Sequence, residues 1–214
     1  LDASAWPGNE EACDGIDNDC DGEGDAWVCN GDQAITEADA IWVGESSQDL
    51  AGRALAWAGD VDGDGSDDLL IGAYNASGGA AAGVVYLLTD VGSGEQDLSG
   101  ADAEFLGAVD GDNTGRGLSG AGDMDGDGYA DFLVGAHLAD SGAGTVYLVT
   151  DGDRGGSSVD LVDAAAVLYG EAASDYAGLS VAGGFDADQD GSPDLLVGAY
   201  GADSSDSNAG AAYL

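Results

Sequence analysis

The 214-residue chain has no lysine, and its fixed cations are Arg53, Arg116 and Arg154 alone. Against them stand 43 acidic residues, for a formal net charge of −40. A protein so poor in cations cannot neutralise phosphates, which excludes nucleic acid as a partner. Docking on anionic lipid is disfavoured on the same ground. Without lysine there is no Schiff-base chemistry. A single histidine, His137, allows no more than one Ser-His-Asp set, and no glycine-rich phosphate loop is present. No run of 18 apolar residues occurs and no basic segment opens the chain, so neither a membrane-spanning helix nor a signal peptide is expected within it. A start at Leu1 rather than Met is what a processed or excised segment would show.

Apolar residues nevertheless make up 44% of the sequence, enough for a packed core and unlike a disordered acidic tail. Charge of this size opposes a compact state unless something neutralises it, and the natural counter-charge is a divalent cation. Adaptation to high salt would also produce an acidic, lysine-free surface. It does not explain aspartates that recur at a fixed spacing. The three cysteines, Cys13, Cys20 and Cys29, crowd into the first thirty residues, which reads as a disulfide or metal staple and an oxidising compartment.

The spacing is that of an internal repeat. GRALAWAGDVDGDGSDDLLIGAY from Gly52, GRGLSGAGDMDGDGYADFLVGAH from Gly115 and AGLSVAGGFDADQDGSPDLLVGAY from Ala177 align with one another. Their first aspartates, Asp60, Asp123 and Asp186, lie 63 residues apart, as do the Gly-Ala pairs at Gly72, Gly135 and Gly198. Each unit breaks into short strand signals between Gly and Asp turns; in the first these are 54–58, 68–73, 84–88 and 104–106. The one helical pattern of note covers Ala164 to Leu168. Four short strands per unit fit a blade of a β-propeller, so the fold class is all-β.

Within each repeat the acids follow a ligand order. Asp60, Asp62, Asp64 and Asp68 occupy positions 1, 3, 5 and 9 of a loop with glycine at position 6 and the Ser66 carbonyl at position 7. Asp123, Asp125, Asp127, the Tyr129 carbonyl and Asp131 repeat it, as do Asp186, Asp188, Asp190, the Ser192 carbonyl and Asp194. Six or seven oxygens on a flexible loop suit Ca2+. These are not EF-hands, because position 12 holds Ile71, Val134 and Val197 instead of glutamate. Turn-making alone would account for one Asp-Gly loop but not for three in register.

The combination Gly-Asp-x-Asp-Gly-Asp-Gly, then Asp-Leu-Leu-Ile-Gly-Ala, then Val-Tyr-Leu resembles the FG-GAP repeat of integrin α-subunit propellers and their bacterial relatives. The resemblance covers about residues 40–214 and implies blades of four antiparallel strands, with calcium in the loop between the first two. The chain departs from the family at the third Gly-Ala-Pro position, where Tyr74, His137 and Tyr200 stand. The N-terminal stretch Pro7 to Gly22 resembles the end of a MopE-like metal-binding motif of secreted bacterial proteins. There Asp17, Asp19, Asp21, the Glu23 carbonyl and Asp25 reproduce the spacing of the repeat loops, so a fourth calcium site is expected.

The domains expected are a Cys/Asp-rich segment over residues 1–32 and repeats over 33–214, divided at about 40–106, 107–169 and 170–214. The third unit holds three strand signals, and residues 40–43 read as an outer strand with no blade of their own. Either more blades follow, or the 40–43 strand of one chain completes the third blade of another. Function reads as a non-enzymatic calcium-binding adhesion or recognition module, extracellular or on a bacterial cell surface. Its partners would be calcium ions, an extracellular protein or glycan, or further copies of itself. A repeat that builds a fibre or surface layer, or the propeller of a secreted hydrolase or lyase, are the alternatives.

Cys13 and Cys20 flank the first acidic loop closely enough to close it, leaving Cys29 to pair elsewhere or to replace Cys20 as the partner of Cys13. Mass spectrometry of an unreduced digest is expected to show a linked Cys13–Cys20 peptide; three free thiols would remove the case for an oxidising compartment.

Overall fold

A computed structural model describes residues 38–76, 82–150, 158–202 and 209–214. The N-terminal loop of Asp17, Asp19, Asp21, Glu23 and Asp25, the three cysteines and the boundary after residue 32 lie outside the described residues. The chain separates into a unit of residues 1–39 and a unit of residues 40–214, and the second carries the repeats.

Fourteen strands are described in this unit: β1 (Ala40–Val43), β2 (Ala54–Gly59), β3 (Asp68–Ala73), β4 (Val84–Leu88), β5 (Gly94–Asp97), β6 (Ala103–Leu106), β7 (Thr114–Gly122), β8 (Asp131–Ala136), β9 (Thr145–Val149), β10 (Ser158–Asp160), β11 (Ala166–Tyr169), β12 (Ser180–Phe185), β13 (Asp194–Ala199) and β14 (Ala211–Tyr213). Antiparallel meanders β2-β3-β4-β6 and β7-β8-β9-β11 form one sheet per repeat, and the third repeat forms β12-β13-β14. Continuous apolar runs such as VVYLL in β4 and FLV in β8 are buried on both faces because sheets stack on either side of them.

Two strands escape the repeat pattern read from the sequence. β10 leaves the second repeat and pairs in parallel with β6 of the first, and β5 pairs in parallel with β1. The two pairings are equivalent at the 63-residue step, since Ile41 faces Glu95 and Glu104 faces Ser158. The first and second repeats thus each hand a strand back to the outer strand that precedes them by one 63-residue step. The helical pattern at Ala164–Leu168 is also overridden. Leu161–Asp163 forms one turn of 3-10 helix that buries Leu161 completely, and β11 then pairs with β9. Strand pairing and the burial of one leucine outweigh a five-residue local preference.

The core lies between sheets. Leu70, Val85 and Phe105 of the first sheet meet Phe132, Val134 and Val149 of the second, with the Phe105 and Phe132 rings edge to face at 5.1 Å. Full burial stabilises by about 1.5–3 kcal/mol for each such side chain. Backbone also touches backbone here. A Cβ placed on Gly72 would fall on the carbonyl oxygen of Gly115, and one on Gly135 would fall on that of Gly178. At Gly72 and Gly135 the Gly-Ala pair keeps its glycine because the neighbouring repeat approaches too closely for a side chain.

Gly135→Ala is therefore expected to cost about 1–3 kcal/mol and to lower the thermal midpoint by about 2–4 °C per kcal/mol. Gly100→Ala, whose added methyl would meet open space, is the control. Equal melting of the two variants would show that the backbone contact is not limiting.

Candidate metal centres

Each acidic loop is launched by a bulge. Strand pairing slips between Trp57 and Gly59, between Gly120 and Gly122, and between Gly183 and Phe185, just before the first aspartate of each loop. A bulge bends its strand and increases the local twist, which turns the chain out of the sheet. The loop then folds around its own first aspartate. Asp60 accepts the Gly63 and Gly65 N–H groups at 2.7 and 3.0 Å, and Asp123 accepts those of Gly126 and Gly128 at 2.7 and 3.0 Å. Asp186 accepts those of Asp190 and Gly191, both at 3.0 Å. Position 6 is left-handed in all three, with φ of 93°, 96° and 97° at Gly65, Gly128 and Gly191, a conformation that favours glycine. Asp64, Asp127 and Asp190 accept from the N–H groups of Ser66, Tyr129 and Ser192.

This scaffold crowds carboxylates. Oxygens of Asp60, Asp62 and Asp68 lie within 4.8 Å of one another, as do those of Asp123, Asp125 and Asp127, and those of Asp186, Asp188 and Asp194. Asp64, Asp131 and Asp190 belong to the same loops outside these triplets. Two unit charges 4 Å apart repel by about 1 kcal/mol in water and about 4 kcal/mol at a protein surface, so each triplet is unfavourable without a cation.

The last aspartate of each loop is also the first residue of a central strand. One oxygen of Asp68, Asp131 and Asp194 accepts the N–H of Val61, Met124 and Ala187, each at 2.7 Å. Asp68 and Asp131 are completely buried, and their other oxygen, Oδ1, has no hydrogen-bond partner. An unpartnered buried carboxylate oxygen is costly. Burial, then neighbouring carboxylates, push both groups up to about 6, against the pull of the Val61 and Met124 N–H groups. An all-oxygen donor set that is crowded, anionic and partly dehydrated fits a hard divalent cation.

A second periodic aspartate escaped the sequence reading. Asp49, Asp112 and Asp175, again 63 apart, are buried. Asp49 accepts the Ser46 N–H at 2.8 Å and Asp175 that of Ala172 at 3.0 Å. Their carbonyls, with that of Asp112, accept from Asn75, Leu138 and Gly201. These aspartates tie the turn before each inner strand to the turn after the central one. The 63-residue step is the signal that would have found them.

Comparison with known proteins agrees with this geometry. Residues 51–88, 114–149 and 177–214, together more than half of the chain, match the family described as FG-GAP repeat. Residues 1–26 match a family labelled for copper binding in MopE and described as "Putative metal-binding motif". The chain is 34% identical to integrin alpha-PS2 of Drosophila melanogaster over 161 residues, 71% of this chain and 12% of that one. It is 38% identical to integrin alpha-5 of Xenopus laevis over 88 residues, 38% of this chain and 8% of that one. It therefore spans about a tenth of the length of these relatives.

The raised carboxyls give the metal-free protein a signed pH dependence. Asp68 and Asp131 titrate from 3.8 when unfolded to about 6 when folded, so the folded state holds more protons in that interval and its stability falls as pH rises through it. With chelator, melting is expected at higher temperature at pH 5 than at pH 7; with calcium the order reverses, because ligands must be deprotonated. Asp68→Asn keeps an acceptor for Val61 and removes the charge. It should raise the midpoint at pH 7 in chelator and lower it in calcium, and a shift of the same sign in both would contradict a ligand role for Asp68.

Proposed function

The chain belongs to the FG-GAP repeat family, and from that premise we propose that its sheets are blades of a calcium-stabilised propeller serving as an extracellular or cell-surface recognition and adhesion module. The observation that carries the calcium assignment is the unpartnered, buried Oδ1 of Asp68 and Asp131 at the base of a crowded acidic loop. Asp60, Asp62, Asp64 and Asp68 would hold the ion in the first loop, Asp123, Asp125, Asp127 and Asp131 in the second, and Asp186, Asp188, Asp190 and Asp194 in the third. The carbonyls of Ser66, Tyr129 and Ser192 would add to them. Bound calcium would supply the positive charge that the sequence lacks. Loops of this kind in extracellular modules bind at about 10⁻⁴–10⁻³ M, which ties folding to a calcium-rich exterior.

Recognition is favoured over catalysis by the similarity to integrin α chains. The one histidine supports the same reading. His137 is buried beside Tyr176, its Nδ1 has no hydrogen-bond partner, and burial followed by the Arg116 charge pushes its pKa down. That is the setting of a packed side chain in a turn.

Equilibrium dialysis with elemental analysis tests the metal reading. The wild type should carry three more calcium ions per chain than the variant Asp60→Asn/Asp123→Asn/Asp186→Asn, and no difference between them would overturn it. Adhesion is tested apart from this, by calcium-dependent retention on immobilised extracellular-matrix proteins and glycans; no retention of calcium-loaded protein on either would reject that role.

A further inference from the structure

Two peptide units join the second acidic loop to the first. The Ala130 N–H donates to the Asp60 carbonyl at 2.9 Å. The peptide that carries this N–H also carries the Tyr129 carbonyl, the oxygen that position 7 offers to a cation. The Asp60 carbonyl in turn shares its peptide with the Val61 N–H, which donates to Asp68 Oδ2 at 2.7 Å. Asp68 closes the first loop, and its Oδ1 is buried without a hydrogen-bond partner. A relay of two hydrogen bonds thus runs from an expected ligand of the second site to the closing ligand of the first. The Tyr129 ring also packs on Gly63 of the first loop.

The joint between the second and third loops has the same shape and lacks the relay. Gly120 approaches the Trp57 carbonyl, and 63 residues on Gly183 approaches the Gly120 carbonyl. A Cβ on Gly59 would fall 2.7 Å from that of Ala130, and one on Gly122 would fall 3.5 Å from that of Pro193. Pro193 therefore stands against the second repeat as Ala130 stands against the first, but proline has no N–H. The Met124 N–H still donates to Asp131 at 2.7 Å, so half of the relay is present and only its input is missing. Gly126, the counterpart of Gly63, has nothing within 4 Å of a Cβ placed on it.

We propose that the first and second loops take up calcium cooperatively through this relay, and that the second and third do not. The inference rests on the calcium reading of these loops. The Tyr129–Ala130 peptide, polarised at its carbonyl by a cation, is a stronger donor at its N–H, and hydrogen bonds in a chain strengthen one another. Once fixed, that peptide also holds the Asp60–Val61 peptide in place, so part of the ordering of the first loop precedes its own ion. By linkage the effect is reciprocal.

The test is a calcium titration of the 214-residue chain followed by amide NMR, with Gly65, Gly128 and Gly191 reporting the three loops separately. Asp125→Asn/Asp127→Asn disables the second loop and Asp188→Asn/Asp190→Asn the third, each through two exposed carboxylates. The loss of charge is common to both variants. The first variant should weaken binding at Gly65 by about fivefold or more beyond what the second does at Gly128. Ala130→Pro, which installs the residue that the third repeat already accommodates there, should abolish that excess. Pro193→Ala should create it at the second joint, and decides the matter if Ala130→Pro does not fold. Equal weakening at both joints, an excess that survives Ala130→Pro, or no new coupling in Pro193→Ala would overturn the relay and leave calcium binding intact. Amides that shift with calcium in none of the loops would overturn the calcium reading and the relay with it.

Discussion

Three aspartate oxygens held within 4.8 Å of one another, in a chain with three arginines and no lysine, form the constraint to which the rest of the structure answers. Backbone N–H groups of the loop neutralise part of that charge, and each loop spends its turn geometry on supplying them. The remainder is left on oxygens with no protein partner. Because the closing aspartate is also the first residue of a central strand, the electrostatic problem sits inside the sheet and is felt by the fold as a whole. A cation that relieves it contributes directly to folding free energy.

Sheet stacking has the same shared character. A blade-like sheet is apolar on both faces and has no stability apart from its neighbours, so the natural unit of the energy is the interface between repeats. Three devices tie neighbours together here: the Phe105–Phe132 contact, the glycine positions that let backbone meet backbone, and the parallel strand handed back to the preceding sheet. The last is the least local. β10 begins more than fifty residues after the β6 strand it joins, so the first sheet is complete only when the second repeat has been formed.

Much of this could be read from residues alone, for physical reasons that also explain what could not. The central strands and acidic loops stand out because burial on both faces demands unbroken apolar runs and a multi-oxygen site demands alternate acids. β5, with the sequence Gly-Glu-Gln-Asp, has neither property. It is a strand because the edge of β1 needs a partner, and edge pairing leaves little mark on side-chain choice. Asp49, Asp112 and Asp175 were hidden by abundance, since in a sequence with 43 acids a buried one looks like any other. The Ala164–Leu168 pattern misled because a stretch so short has no helical preference able to resist pairing with β9.

The third repeat shows how far a loop depends on its neighbours. Its closing residue, Asp194, is half-buried where Asp68 and Asp131 are buried completely. Its position 4 is Gln189, held left-handed at φ 64°, where the other loops have Gly63 and Gly126. The first and second loops are joined by the Ala130 N–H, which donates to the Asp60 carbonyl at 2.9 Å, and the Tyr129 ring lies against Gly63. At the Ala130 position the third repeat has Pro193, which has no N–H to give, so that bond cannot recur between the third loop and the second. The three loops are nearly identical in carboxylates and differ in shelter. Shelter comes from the adjoining sheet and loop, so the dehydration that makes these oxygens good cation ligands is a property of the stacked array, and no single repeat can supply it alone.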